Sequence, residues 1–156
     1  MHRTRTLLTL LSTLFTTLLL PMEAVAERST TFDNYIVHYN AFRSDMIPAE
    51  VAQRHNIIRS NHRAIVNITV LRRSKDGSTQ PIPARVTGTA TNLSSQLSTL
   101  HFFQVREQEA IYYLDQFRIG DNETLRFQIQ VEPEQPYAEP STVGNIHFTQ
   151  RFYTTE

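Results

Sequence analysis

The chain has 156 residues, no cysteine, and 15 basic side chains against 15 acidic ones. That length supports one domain with a sizeable core. The missing cysteines exclude a disulfide framework, a thiol nucleophile, a thiolate metal site and a cysteine-linked lipid anchor. The balanced charge, with no basic tail or run, excludes the electrostatic footprint of a nucleic-acid or anionic-membrane binder.

The start, Met1-His2-Arg3-Thr4-Arg5, is short and basic, and Leu7 to Leu20 follows with eight leucines and no charge. Pro21 breaks the run, and Ala24-Val25-Ala26 supplies the small-x-small pattern that a signal peptidase reads. That order predicts a secretory signal peptide over residues 1–26, cleaved after Ala26. The apolar run is diluted by Thr9, Ser12, Thr13, Thr16 and Thr17. It falls short of the about 20 apolar residues that a spanning helix needs. Arg3 and Arg5 are separated by Thr4, so the twin-arginine signal is absent. The expected product is a soluble, exported domain over residues 27–156, with no stable membrane insertion after cleavage.

Beyond that point the dominant pattern has period two. Tyr35 to Phe42 reads as the first strand, and Pro48 to His55 as a short helix with Pro48 at its start and Glu50 at its positive end. The helix sits in a long link, Arg43 to His62, and is expected to plug an open end of the fold through Val51 and Ile57. Ala64 to Leu71 is the second strand. Ala64, Val66, Ile68 and Val70 form one face, while Ile65 and Leu71 make the other partly apolar, as in a central strand. Ser74 to Ser78 is a hairpin loop, and Pro83 to Thr91 the third strand, with Gly88 a bulge or a point of close approach.

Leu100 to Arg106 and Ile111 to Ile119 form a hairpin about Glu107-Gln108-Glu109. In Thr124 to Val131, Leu125, Phe127, Ile129 and Val131 alternate with Arg126, Gln128 and Gln130, a strand with one wet face. A link of irregular structure, Pro133 to Gly144, leads to the last strand, Ile146 to Tyr153. Its core face holds Ile146, Phe148 and Phe152, interrupted by Gln150. About seven strands with regular turns predict a single antiparallel β-sandwich, immunoglobulin-like in broad architecture, with one short helix between the first two strands. The cysteine pair and tryptophan of true immunoglobulin domains are absent.

Charge is unevenly placed. Arg43 to Arg85 is rich in basic residues and Arg106 to Glu139 in acidic ones. Neighbouring strands whose outer faces complement each other account for this better than a basic patch for an anionic ligand.

No catalytic motif is visible. His38, His55, His62, His101 and His147 show no metal-ligand spacing, so no metal or other cofactor is expected. His38 and His147, on the first and last strands, have the best chance of meeting. There is no G-x-S-x-G motif and no phosphate-cradling glycine loop. Asp115 shares a face with Ile111, Tyr113 and Phe117, so an inward orientation would make it a buried carboxylate in need of a partner. The sequons at Asn67, Asn92 and Asn122 would matter only in a eukaryotic secretory route. Tyr112 and Tyr153 lie opposite the apolar faces of their strands and are placed to stack on a sugar ring or to rim an interface.

The segment Ile58-Arg59-Ser60-Asn61-His62-Arg63-Ala64-Ile65-Val66-Asn67-Ile68-Thr69-Val70-Leu71 resembles a family of small exported bacterial proteins described only as a domain of unknown function. The resemblance extends through Tyr35 to Phe42, Pro48 to Ala52, Val86 to Leu93, Ala110 to Tyr113 and Arg151 to Tyr153. The Pro-rich stretch from Pro133 to Gly144 is longer than in that family. The resemblance implies a Gram-negative periplasmic address and agrees with the sandwich, and it carries over no catalytic motif.

Three readings follow. The leading one is a periplasmic, non-catalytic binding or adaptor domain for an envelope protein or ligand, with Arg59, Asn61, His62 and Arg63 as candidate binding residues. The second is an envelope-acting hydrolase or isomerase, with Asp115 and a histidine converging only in the fold. The third, a small outer-membrane barrel, conflicts with the odd strand count and the short strands.

Overall fold

The computed structural model describes residues 28–134 and 142–155. The expected signal sequence, its cleavage point and most of the Pro-rich link lie outside the described residues. Alternating burial along each segment produces two antiparallel sheets packed face to face. The strands are β1 (Arg28–Phe32), β2 (Tyr35–Arg43), β3 (Arg63–Arg73), β4 (Thr79–Pro81) and β5 (Ala84–Asn92), then β6 (Leu97–Leu100), β7 (Phe103–Glu107), β8 (Ala110–Arg118), β9 (Glu123–Pro133) and β10 (Gly144–Phe152). A 3-10 turn, Ser44–Met46, and helix α1 (Ala49–Arg54) separate β2 from β3.

The first sheet runs β1-β2-β3-β8-β7, with β4 added on β3, and the second runs β10-β9-β5-β6. The inner orders β2-β3-β8-β7 and β10-β9-β5-β6 reproduce the A-B-E-D and G-F-C-C′ orders of an immunoglobulin-type sandwich. The expected all-β sandwich with one short helix is therefore what forms.

The described residues hold ten strands against the seven expected, for identifiable reasons. β1 is polar and short, and it becomes a strand by pairing along β2 from Arg28↔Tyr39 to Phe32↔Tyr35. The Ser74 to Ser78 loop closes onto the three-residue β4 through Arg73↔Thr79, with Gly77 at φ +86, before the chain crosses to the second sheet. The segment read as one strand from Leu100 to Arg106 is two. Leu100 ends β6 in the second sheet, and Phe103 opens β7 in the first. At this crossing Asp115 Oδ2 accepts the backbone N–H of His101 at 2.9 Å.

The core lies between the sheets. Val66, Ile68 and Val70 from β3 and Ile129 and Val131 from β9 are at most 1% exposed. Phe127 and Phe148 of the second sheet stack with ring centroids 4.6 Å apart, and Tyr39 and Phe117 of the first sheet meet them at 5.0 and 5.9 Å. Tyr113 adds a polar tie across the layers, since its hydroxyl accepts the Ala84 N–H at 2.8 Å. Burial pushes the phenol pKa up, so this hydroxyl stays neutral.

Gly88 is a point of close approach and not a bulge. Its pairing with Ile129 continues an unbroken register, and a Cβ there would lie 2.7 Å from the Gln128 carbonyl oxygen. Gln150, the polar interruption in β10, has a partner at the sandwich rim. Its Oε1 accepts from Arg28, which also bonds the Thr149 carbonyl and lies over the Phe148 ring.

Helix α1 does not plug an end of the sandwich. It packs on the outer face of the first sheet, where Ala52 and Ile57 bury against Ile65, Leu114 and Val105. Val51 is only half-buried. Ile65 points away from the main core, and this second cluster is what removes it from solvent.

Truncating Phe127 to Ala should cost about 3–5 kcal/mol in unfolding experiments, the range for a large aromatic in a tight core. Gly144→Ala should also destabilise, because its Cβ would fall 2.1 Å from the Phe32 ring. A chemical melt of Phe127→Ala that matched the parent would refute this view of the core.

Candidate functional site

The residues that the sequence nominated lie at one end of the sandwich, where they fasten chain segments together. Ser44, fully buried, places its Oγ 2.8 Å from the Ile58 carbonyl and accepts the Ser60 N–H at 3.0 Å, which ties the helix-bearing link to the end of β2. Arg59 donates to the Asp45 carbonyl at 2.8 Å. Asn61 Nδ2 donates to the Thr154 carbonyl at 2.8 Å, and its Oδ1 lies 2.7 Å from His62 Nδ1. The His62 carbonyl accepts the Ile119 N–H. Arg63 stands opposite Arg118 in the β3–β8 register.

The C-terminal segment closes this clasp. Arg43 donates to the Tyr153 carbonyl and pairs through two nitrogens with Asp45. Asp121 accepts the Thr154 N–H at 2.8 Å, with Thr155 adding its N–H and hydroxyl. The Thr154 amide, followed by the Thr155 contacts, holds the Asp121 carboxyl below its ordinary range. Asn61 thus shares an open depression with Arg43 and Thr154, whereas Arg59, His62 and Arg63 do not line it.

The carboxylates and histidines also separate. Asp115 meets the backbone of His101 and not an imidazole. His55 Nε2 lies 2.6 Å from Glu107 Oε1, with Arg54 at 3.6 Å, and this joins α1 to the end of β7. The hydrogen bond from His55, then the field of Arg54, lowers the Glu107 pKa. His38 and His147 lie on the outer faces of different sheets, so they do not meet. Among the described residues no three His, Asp or Glu side chains gather as metal ligands. Arg85 and Glu132 face each other across β5 and β9 and bond at 2.7 Å, as complementary outer faces require.

Two recesses remain on the outer faces. On the second sheet, Thr87, Thr89, Thr99, Gln128 and His147 form a polar surface with no Tyr or Phe in its lining. On the first sheet, beside α1, a shallow recess of about 590 Å³ is lined by His38, Asn40, Phe42, Asn67, Thr69 and Tyr112. Its floor is set by register. Asn40 stands opposite Asn67, and His38 opposite Thr69, on β2 and β3. Its rings, Phe42 and Tyr112, are held at the helix side because both pack against the α1 cluster. No Asp, Glu, Lys or Arg lines it. Asn40 Oδ1 is engaged by the Ala41 N–H at 2.8 Å. Asn67 Oδ1 is out of solvent and accepts no hydrogen bond. Tyr112 is legible in the sequence as a ring opposite the apolar face. Asn40 and Thr69 are not, because their meeting depends on cross-strand register.

The family model for a domain of unknown function, DUF4426, matches residues 29–155. The chain belongs to the DUF4426 family. Its fold is similar to the crystal structure of a DUF4426 family protein from Pseudomonas aeruginosa PAO1, at 32% sequence identity and a TM-score of 0.69. The match covers 83% of this chain and 97% of that one. No curated protein matches the chain. The DUF4426 match thus begins one residue into β1 and takes in both the clasp and the outer-face recess.

The clasp has a pH signature. Because the folded-state pKa of Asp121 is depressed, its stabilisation is full above the ordinary aspartate range and fades as pH falls through the lower, folded value. Asp121→Asn should therefore lower the melting temperature at neutral pH and flatten its decline in acid. An unchanged acid limb would contradict the role given to this carboxylate.

Proposed function

We propose that this DUF4426 protein is an exported, periplasmic binding domain that recognises its target non-catalytically through the outer face of its first sheet. The observation that carries this reading is the recess beside α1. It combines two held aromatic rings, a pair of facing asparagines and hydroxyl groups on the paired strands β2 and β3. Such a mixture of apolar wall and a few placed polar groups is the usual make-up of a ligand site. The order of basic, apolar and small-residue segments at the start of the chain supports the address.

The alternative of an envelope hydrolase or isomerase draws no support from Asp115, whose carboxylate is engaged by the His101 amide. The clasp residues Arg59, Asn61 and His62 bind other parts of this chain, so recognition is assigned to the recess instead.

Fractionation and in-cell photocrosslinking test both parts. The protein should be released from the envelope without detergent, with Glu27 as its first residue. A photoreactive residue in place of Tyr112 should yield specific adducts, whereas one in place of Gln128 on the second sheet should not. Retention of the full chain in the membrane would overturn the address. Equal adducts at both positions, or none at Tyr112, would overturn the assignment of the face.

A further inference from the structure

Each sheet ends in edge strands, β1 and β7 in the first and β10 and β6 in the second, and they are not treated alike. On β10 the carbonyls of Thr149 and Arg151, and of Tyr153 just beyond it, accept side-chain donors from Arg28, Gln150 and Arg43. β7 carries Arg106 on the same side as its partner Ile111, a core residue. Capped backbone groups and an inward charge are means by which an edge strand avoids pairing with another chain. β1 has neither device beyond Arg28: Ser29, Thr30, Thr31 and Phe32 bring no charge and no proline.

The alternation of backbone groups decides what β1 offers. The Asn34 carbonyl accepts the Arg73 N–H on the β3 side of β2. The Ala41 N–H, turned the other way, meets the Asn40 side chain in place of a neighbouring strand. Successive residues alternate sides, so Tyr35, Val37 and Tyr39 turn their backbone groups toward β1. Their partners there are Phe32, Thr30 and Arg28. The N–H and C=O of Ser29 and Thr31 therefore point away from the sheet. No described strand or loop bonds them, and both side chains are exposed.

A row of this kind is complemented by a second copy of itself. In an antiparallel arrangement about a two-fold axis at Thr30, Ser29 stands opposite the partner's Thr31, and Thr31 opposite the partner's Ser29. Both members of each pair have outward backbone groups, so each pair exchanges its N–H···O=C bonds. Hydroxyl side chains then face each other across the join, a favourable cross-strand pair. Arg28 falls opposite the partner's Phe32, so no like charges meet.

We propose that this protein forms a two-fold dimer in which β1 pairs with the partner's β1 and the two first sheets become one. The contact is isologous and closes at two subunits. Its axis stands perpendicular to the joined sheet, so both recesses beside α1 open on the same side. A long target thereby meets two of them at once, with the gain in avidity that linkage brings. A strand pair this short makes a small interface, so the dimer is weak and reversible.

Two measurements on the purified protein test this. Sedimentation velocity from about 10 μM to about 1 mM should show reversible dimerisation, the range expected of a small interface. Thr31→Pro removes an outward N–H and none that β2 uses. It should weaken association about tenfold or more while the melting curve stays close to the parent's. Thr99, opposite Thr89, likewise turns its N–H away from β5, so Thr99→Pro makes the same change on the edge of β6. It should leave association unchanged.

Because the chain has no cysteine, single cysteines report the register. Under mild oxidation Thr30→Cys should give a disulfide-linked dimer, since Thr30 meets the partner's Thr30 at the axis. Ser29→Cys is the more exposed site, but it is offset from the partner's Ser29 beyond the about 7 Å between Cα atoms that a disulfide spans. It should crosslink poorly. A parent that stays monomeric throughout would overturn the proposal. So would association lost in Thr99→Pro and kept in Thr31→Pro, or crosslinking of Ser29→Cys in preference to Thr30→Cys. These outcomes concern the edge of β1 alone, and photocrosslinking at Tyr112 judges the recess independently.

Discussion

Five aromatic rings join the two sheets: Tyr39 and Phe117 from the first, and Phe127, Phe148 and Phe152 from the second. The stacked pair Phe127–Phe148 lies at the middle, with Tyr39 against one end and Phe117 linking Phe127 to Phe152. A chain without cysteine has no covalent tie between its layers. Its sandwich depends on this contact and on the aliphatic rows beside it. Aromatic pairs add about 0.5–1.5 kcal/mol each beyond the area they bury. The Tyr113–Ala84 hydrogen bond fixes the sheets relative to each other, because it is satisfied only at one alignment.

The inner faces are thereby filled, and what is left for recognition is outside. The two outer faces differ because the link between β2 and β3 folds back over only one of them. Ala52 and Ile57 settle on Ile65, Leu114 and Val105, and the border of that cluster, Phe42 and Tyr112, becomes the wall of the recess. The clasp of Ser44, Asn61, Arg43 and Asp121 holds the link and the C-terminal segment at the end of the sandwich. Scaffold and proposed site are therefore continuous: the hydrogen bonds that fasten the link also hold the wall in place.

Much of this was legible in the sequence, because a half-buried strand writes its burial as alternation. Leu125, Phe127, Ile129 and Val131 are buried and Arg126, Gln128 and Gln130 exposed, as their spacing implies. Where the reading failed, the deciding contact was distant in sequence. The segment Leu100 to Arg106 looks continuous, yet the chain changes sheets within it, and Asp115 is bonded at the crossing. The position of α1 is not legible, because an apolar outer side on β3 is equally the pattern of a central strand. Ile65 was in fact the mark of a covering element. Arg59, Asn61 and His62 stood out as a polar cluster, but cluster and site are not the same thing. Their partners, Asp45 and Thr154 among them, are supplied by the fold. The recess was hidden for the same reason, since nothing local sets Asn40 against Asn67.

The most direct measurement compares one substitution on each outer face. Thr69→Arg places a long cation in the recess beside α1, and Thr89→Arg places the same group on the second sheet. Cosedimentation of the purified protein with the insoluble envelope fraction is then measured for both variants and the parent. The account predicts that the parent and Thr89→Arg cosediment and that Thr69→Arg does not. Loss of binding by Thr89→Arg alone, or no cosedimentation of the parent, would contradict it.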